Sequence, residues 1–311
     1  MIISASRRTD IPTYYSEWFF NRLKAGYVYV RNPMHAHRIS KISLSPSVVD
    51  GIVFWTKNPI PMTAHLDKLD EYAFYFQFTL NAYGTDIEPG VPGKNDVLIP
   101  AFRELSERIG AERVIWRYDP IMLTAKYTAE YHVKYFGELV KRLAGYTHTC
   151  VISFIDFYRN TRTQLRDFDM LPLDESCMYE LAECLAEIAR ENGLKLESCA
   201  ETVHLEQFGI QHGHCVDRMR FEKILHCKLK LSADKNQRAA CGCVESIDIG
   251  AYNTCRNGCR YCYANYIPSV VSRNAEAHNP ASPLLFGEVS SEDIISERKM
   301  VSLKEDQLNI L

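Results

Sequence analysis

Short, strongly apolar segments recur along this chain with amphipathic helical stretches between them, and that alternation restricts its fold more than any other feature. The strand candidates are IISAS (2–6), GIVFWT (51–56), YAFYFQFTL (72–80), RVIWRYD (113–119), CVISFIDF (150–157), LKLESCA (194–200) and ESIDIGAY (245–252). Most are rich in β-branched and aromatic residues. Several are apolar on both faces, as strands covered on both sides of a parallel sheet must be. Between them, LIPAFRELSERIG (98–110) ends at Gly110, and TAEYHVKYFGELVKRLAG (128–145) runs from a Thr cap to Gly145. DESCMYELAECLAEIARENG (174–193) starts at the capping residue Asp174 and stops at Gly193. Its Met178, Leu181, Leu185, Ile188 and Ala189 form one apolar face. This order predicts an α/β fold on a parallel sheet, a full or partial (β/α) barrel.

Residues 1–265 are expected to form one such domain. The rest, 266–311, carries Pro268, Pro280 and Pro283 and the charged SSEDIISERKMVSLKEDQ; it reads as a wrapping tail with a short helix near its end. A hydrophobic content of 46% and a charged content of 24% are those of a globular chain. The formal net charge of −3 gives no global basic field, which argues against nucleic acid as a partner. The start, MIISASRRTD, lacks the apolar core of a signal peptide, and no apolar run is long enough to span a bilayer. A cytoplasmic protein without membrane attachment is expected.

Functional groups of parallel barrels gather at the C-terminal ends of the strands. Here those ends carry RRTD (7–10), TKNP (56–59), NAYGTDIEPGVPG (81–93), RYDP (117–120) and CAE (199–201), all expected to face one mouth. The last strand candidate leads directly into CRNGCRYCYAN (255–265).

Cysteine usage points the same way. The chain has 11 cysteines, none before Cys150 and seven from Cys215 onward, an odd and lopsided set that argues for metal chemistry over disulfides. Cys255, Cys259 and Cys262 are spaced C-x3-C-x2-C with aromatic Tyr261 before the third. Three thiolates on one loop suit three irons of a [4Fe–4S] cluster with the fourth iron open. A structural zinc with Cys241 or Cys243 as fourth ligand, or inert thiols, are the competing readings.

The loop resembles the signature of the radical S-adenosylmethionine enzymes. The order of motifs resembles the spore photoproduct lyase-like branch, but shifted: SRRTDIP, FWTKNP and TDIEPGVP precede the cysteine loop instead of following it. The resemblance implies a circularly permuted radical barrel whose first strand lies at the C-terminal end. Taken whole, from ISASRRTDIP through VIWRYDPI to CGCVESIDIGAYNTCRNGCRYCYAN, the chain also resembles the family catalogued as domain of unknown function 1848.

The resemblance implies a [4Fe–4S] cluster on Cys255, Cys259 and Cys262, with S-adenosylmethionine bound at its open iron. Reductive cleavage would then yield an adenosyl radical that takes hydrogen from a substrate. By motif position Tyr261 would shield the cluster, Tyr263 line the radical path, Lys57 pair with the cofactor carboxylate, and Thr9 and Asp10 contact its amino or ribose groups. A reductant such as flavodoxin or ferredoxin is implied as partner. Unlike the lyase, this chain has no cysteine in its first 149 residues, and Arg7 and Arg8 stand in its place, which counts against a nucleic-acid repair activity. Arg7, Arg8, Arg117 and Asp119 suggest a small anionic or zwitterionic substrate, with a structural Arg117–Asp119 ion pair as the competing reading.

Cys199, Cys215, Cys241 and Cys243 are candidates for a second iron–sulfur cluster or a zinc, with buried reduced thiols as the competing reading. Cys150, Cys177 and Cys184 read as core, and His204, His212 and His214 as surface or packing residues. The leading expectation is a radical enzyme; the alternatives are a non-catalytic iron–sulfur or zinc protein and, second, a nucleic-acid repair lyase.

Overall fold

In the computed structural model, which describes residues 1–238 and 240–305, the strands are β1 (Ile2–Ala5), β2 (Tyr27–Asn32), β3 (His35–Ser43), β4 (Gly51–Thr56), β5 (Phe74–Thr79) and β6 (Val114–Ile121). They continue with β7 (Thr149–Phe154), β8 (Lys195–Ser198), β9 (Gln211–His212), β10 (Ile247–Asp248) and β11 (Ile294–Glu297). Eight of them form one sheet in the order β10-β1-β4-β5-β6-β7-β8-β9. Every ladder in it is parallel. Among the described residues no ladder joins β9 to β10, so the pairing is that of an open α/β sheet and a closed barrel is not observed.

Alternation along the strands divides the core in two. On one face Ile3, Phe54, Phe76, Trp116 and Ile152 pack with Trp18, Phe102, Phe136 and Leu185 from the helices Ser16–Ala25, Ile99–Ile109, Ala129–Leu143 and Glu175–Glu191. Trp116 stacks on Phe136 with ring centroids 5.1 Å apart. Each such fully buried aromatic ring is worth about 2–3 kcal/mol in surface removed from water. On the opposite face Ile2, Val53, Tyr75, Ile115 and Val151 meet Val216, Phe221 and Leu229. The short helix Arg218–Leu225 thus plugs the concave side, and a Cβ on Gly51 would fall 2.1 Å from the Phe221 ring.

The helix caps follow the sequence: Thr128 and Asp174 accept from Tyr131 N–H and Cys177 N–H, each three residues on. The β2–β3 hairpin and β11 form a second, three-stranded sheet that the sequence pattern does not announce. The tail departs from expectation. Its helix, Pro268–Glu276, stands at the beginning, whereas Ile294–Glu297 forms a strand parallel to β3. Isoleucines 294 and 295 favour extended backbone, and β3 offers them a free edge. The terminal residues 306–311, where a short helix near the end would fall in part, lie outside the described residues.

Candidate functional site

Residues in register across a parallel sheet share a face, so the concave side can be read row by row. Asp248, Ser4, Val53 and Tyr75 form one row; Trp55, Gln77 and Ile115 the next; Thr79, Arg117, Val151 and Glu197 another. The face is apolar toward the strand N-termini and polar at the C-terminal ends, as expected. There a cavity of about 410 Å³ opens. Thr9, Asp10, Lys57, Arg117, Asp119, Tyr261 and Tyr263 line it, and so do all seven candidate metal ligands.

The cysteine loop is held from several sides. Tyr15 OH donates to Thr254 O at 2.6 Å, and Tyr14 OH to Asn257 Oδ1 at 2.8 Å. Gly90 N–H donates to Asn257 O at 2.9 Å, and Asn160 Nδ2 reaches the carbonyls of Cys262, Tyr263 and Asn265. Gly258 has φ +64°, a turn geometry that favours glycine. Desolvation, then the Asp10 carboxylate and the other two sulfurs, holds the Cys255 thiol well above its ordinary range. Desolvation pushes the Cys259 thiol up to about 12 despite Lys57, and raises Cys262 as well. Such thiols release protons only to a strong Lewis acid.

Asp10 ties three elements together. Its carboxylate accepts from Thr13 N–H at 3.0 Å, capping the helix Ile11–Tyr14, from Lys57 N–H at 2.8 Å, and from Asn257 Nδ2 at 3.2 Å. Lys57 has a protein partner: its Nζ lies 2.8 Å from Glu88 Oε1, and Lys94 Nζ lies 2.8 Å from Glu88 Oε2. Tyr261 OH donates to the same Glu88 carboxylate. Desolvation works to raise Glu88, but the two lysines outweigh it and hold it below the usual carboxylate range. Glu88 is the residue that motif reading passes over, although its E-P dipeptide stands in TDIEPGVP. Thr9 Oγ1 is buried without a hydrogen-bond partner.

The arginines of the mouth are paired as well. Arg117 Nε donates to Asp119 Oδ2 at 2.8 Å, and Asp119 also takes the Ser153 hydroxyl. Arg7 lies 3.7 Å from Asp234 and over the Trp55 ring, Arg8 lies 4.0 Å from Asp248, and Arg238 pairs with Asp156. Tyr263, half-exposed at the rim, donates from its hydroxyl to Arg7 O at 2.6 Å.

All eleven cysteines are unbridged. Cys199, Cys215, Cys241 and Cys243 come together on the concave face, with Cys199 and Cys215 sulfurs 3.1 Å apart. Cys150 is buried as expected, whereas Cys184 is exposed: it sits on the outer side of its helix, clear of Leu181 and Leu185. His204 is exposed, and His212 bonds Ala240 O. Among the described residues no group of three or more His, Cys, Asp or Glu side chains is arranged, as it stands, to hold a metal ion, and no helix is long and apolar enough to cross a membrane.

No curated protein matches the chain. The family model described as domain of unknown function (DUF1848) matches residues 2–264, from β1 to just past the third loop cysteine, Cys262, and across every candidate site residue, and the chain belongs to that family.

Proposed function

We propose that this chain is a radical S-adenosylmethionine enzyme acting on a small substrate. The observation that carries the reading is the placement of Cys255, Cys259 and Cys262 on one loop, all lining the cavity at the C-terminal ends of the parallel strands. The residues present fit the group. The donor set is three thiols with no protein carboxylate or imidazole among them, as a cluster with an open iron requires. A cubane cluster also needs its ligands on the corners of a body several ångströms across, so the lack of a single-ion arrangement does not count against it. The unpartnered Thr9 hydroxyl on the same wall is available to a polar ligand.

When bound, the cluster and S-adenosylmethionine supply one-electron reductive cleavage of the sulfonium and hydrogen abstraction from the substrate. Cys255, Cys259 and Cys262 would hold the cluster. Asp10 and Gly90 fix the loop through Asn257. Lys57 places a positive charge near Cys259, and Tyr261 bonds Glu88 with its ring 5.4 Å from Lys57 Nζ. Tyr263 closes the rim. β10 lies beside β1 in the sheet, which supports a permuted barrel in which the strand before the cysteine loop is the first by position. The unbridged thiols suit a reducing, cytoplasmic setting with flavodoxin or ferredoxin as electron donor.

The test is anaerobic reconstitution followed by iron and sulfide counting, then addition of dithionite and S-adenosylmethionine. About four irons lost together in Cys255→Ala, and 5′-deoxyadenosine formed by the wild type alone, are expected. Zinc without iron, or a cluster whose spectrum ignores S-adenosylmethionine and yields no 5′-deoxyadenosine, would overturn the reading.

A further inference from the structure

We infer that Cys199, Cys215, Cys241 and Cys243 are the ligands of a second, separate thiolate-bound metal centre on the concave face. The inference goes beyond the proposed radical chemistry and does not depend on it.

Four thiols reach this place from three stretches of chain: the end of β8, the loop after β9, and the C-x-C turn before β10. Packing alone does not require sulfur here, and none of the four is bridged. Their surroundings are those of metal-bound thiolates. Arg117, 5% exposed, donates from Nη1 to Cys215 Sγ at 3.0 Å, and Val216 N–H points at Cys243 Sγ at 3.4 Å. A guanidinium spends a strong donor poorly on a neutral thiol but well on a thiolate. Donors to sulfur are how proteins orient and tune thiolate ligands. Four thiolates on a divalent ion carry two excess negative charges, and Arg117 and Arg7 flank the group.

The backbone is prepared too. Cys215 O accepts from Tyr75 OH at 2.7 Å and from Gln77 Nε2 at 3.1 Å, both from β5, so one ligand is fixed to the sheet. Val244 N–H bonds Val216 O at 3.1 Å, which joins the second and third stretches. Gly242 lies flush under His214: a Cβ there would fall 2.1 Å from the ring. The Cys199 and Cys215 sulfurs, at 3.1 Å, are closer than the edge of about 3.8 Å in a tetrahedron of 2.3 Å zinc–sulfur bonds. An ion between these two sulfurs needs that pair to spread by less than about an ångström.

The experiment removes the first site to isolate the second. Cys255→Ala/Cys259→Ala/Cys262→Ala is purified anaerobically, and zinc, iron and sulfide are counted before and after reconstitution. Cobalt(II) is then titrated as a probe whose sulfur-to-metal charge-transfer bands report thiolate ligation. Retained zinc or thiolate-bound cobalt, or iron with sulfide, supports the centre and identifies its type. The converse variant, Cys241→Ser/Cys243→Ser on the wild-type loop, loses that metal and keeps the loop's own. No metal in the triple variant, retention in the double variant, or a Cys199–Cys215 disulfide in place of metal overturns the inference. Circular dichroism confirms folding of both; should either be unfolded, sulfur-edge X-ray absorption of the wild type, counting metal-bound thiolates beyond three, decides it instead. Failure of the radical reading would leave this outcome unchanged, since the triple variant lacks that site.

Discussion

Glu88, 1% exposed, holds Lys57 on one carboxylate oxygen and Lys94 on the other, each at 2.8 Å. A lysine that motif reading assigns to a ligand is thus already neutralised within the protein, together with Tyr261 of the cysteine loop. Glu88→Gln should destabilise the fold by about 3–5 kcal/mol, because two largely buried ammonium groups lose their counter-charge. Urea unfolding at neutral pH measures it. Since the carboxyl is held below its ordinary range, its contribution is present above the unfolded-state value and disappears as pH falls through the depressed one. The gap between wild type and variant should therefore close in acid, and a constant gap would show that the charge is not what matters.

His132 offers a second pH test. It is fully buried, donates from Nε2 to Met122 O at 3.0 Å and accepts from Tyr118 OH at Nδ1 at 2.8 Å, as a neutral ring must. Desolvation lowers its pKa from 6.5 to about 4. The unfolded chain therefore binds the extra proton first on acidification. Stability is full above 6.5 and falls by about 3 kcal/mol toward pH 4. His132→Gln, which cannot titrate, should show a flatter stability profile across that window.

Gly51 sits against the Phe221 ring, where a Cβ would fall 2.1 Å away. Gly51→Ala is expected to cost about 1–3 kcal/mol through overpacking. Adding Phe221→Leu should return part of that loss, giving a favourable coupling in a double-mutant cycle. Strict additivity would mean that the plug helix is not seated as described.

Gly90 meets backbone instead of a side chain: its added Cβ would lie 2.6 Å from Arg256 O and 2.9 Å from Asn257 O. Gly90→Ala should push the cysteine loop outward. Faster alkylation of Cys255, Cys259 and Cys262 by iodoacetamide, read by peptide mass spectrometry, is the expected signature. Unchanged rates would show that the loop is set by its other anchors.

The strands that carry the site were legible because β4, β5 and β6 are apolar on both faces, a pattern that only burial on two sides explains. β2 and β3 were not: YVYVRN is mostly half-buried and HAHRISKIS is exposed over its first four residues, so neither shows the two-sided burial that marks the central strands. Chemistry was legible where residue type dictates it, as at the three loop thiols. It was not legible where a partner decides it. Lys57 reads as a ligand-binding cation, and only the fold shows that Glu88 occupies it, whereas the Arg117–Asp119 ion pair was already a competing reading of the sequence.

The pairing of every arginine and lysine at the cavity has a kinetic side. Lys57, Arg117, Arg7, Arg8 and Arg238 each face a carboxylate of the protein. Little of their field reaches bulk water, so a molecule approaching the mouth is not drawn in from a distance. Its capture rate should hardly change between low and physiological ionic strength. A charged visitor gains its contacts only after entry, by prising one of these pairs apart, so selection at this cavity acts on departure more than on arrival.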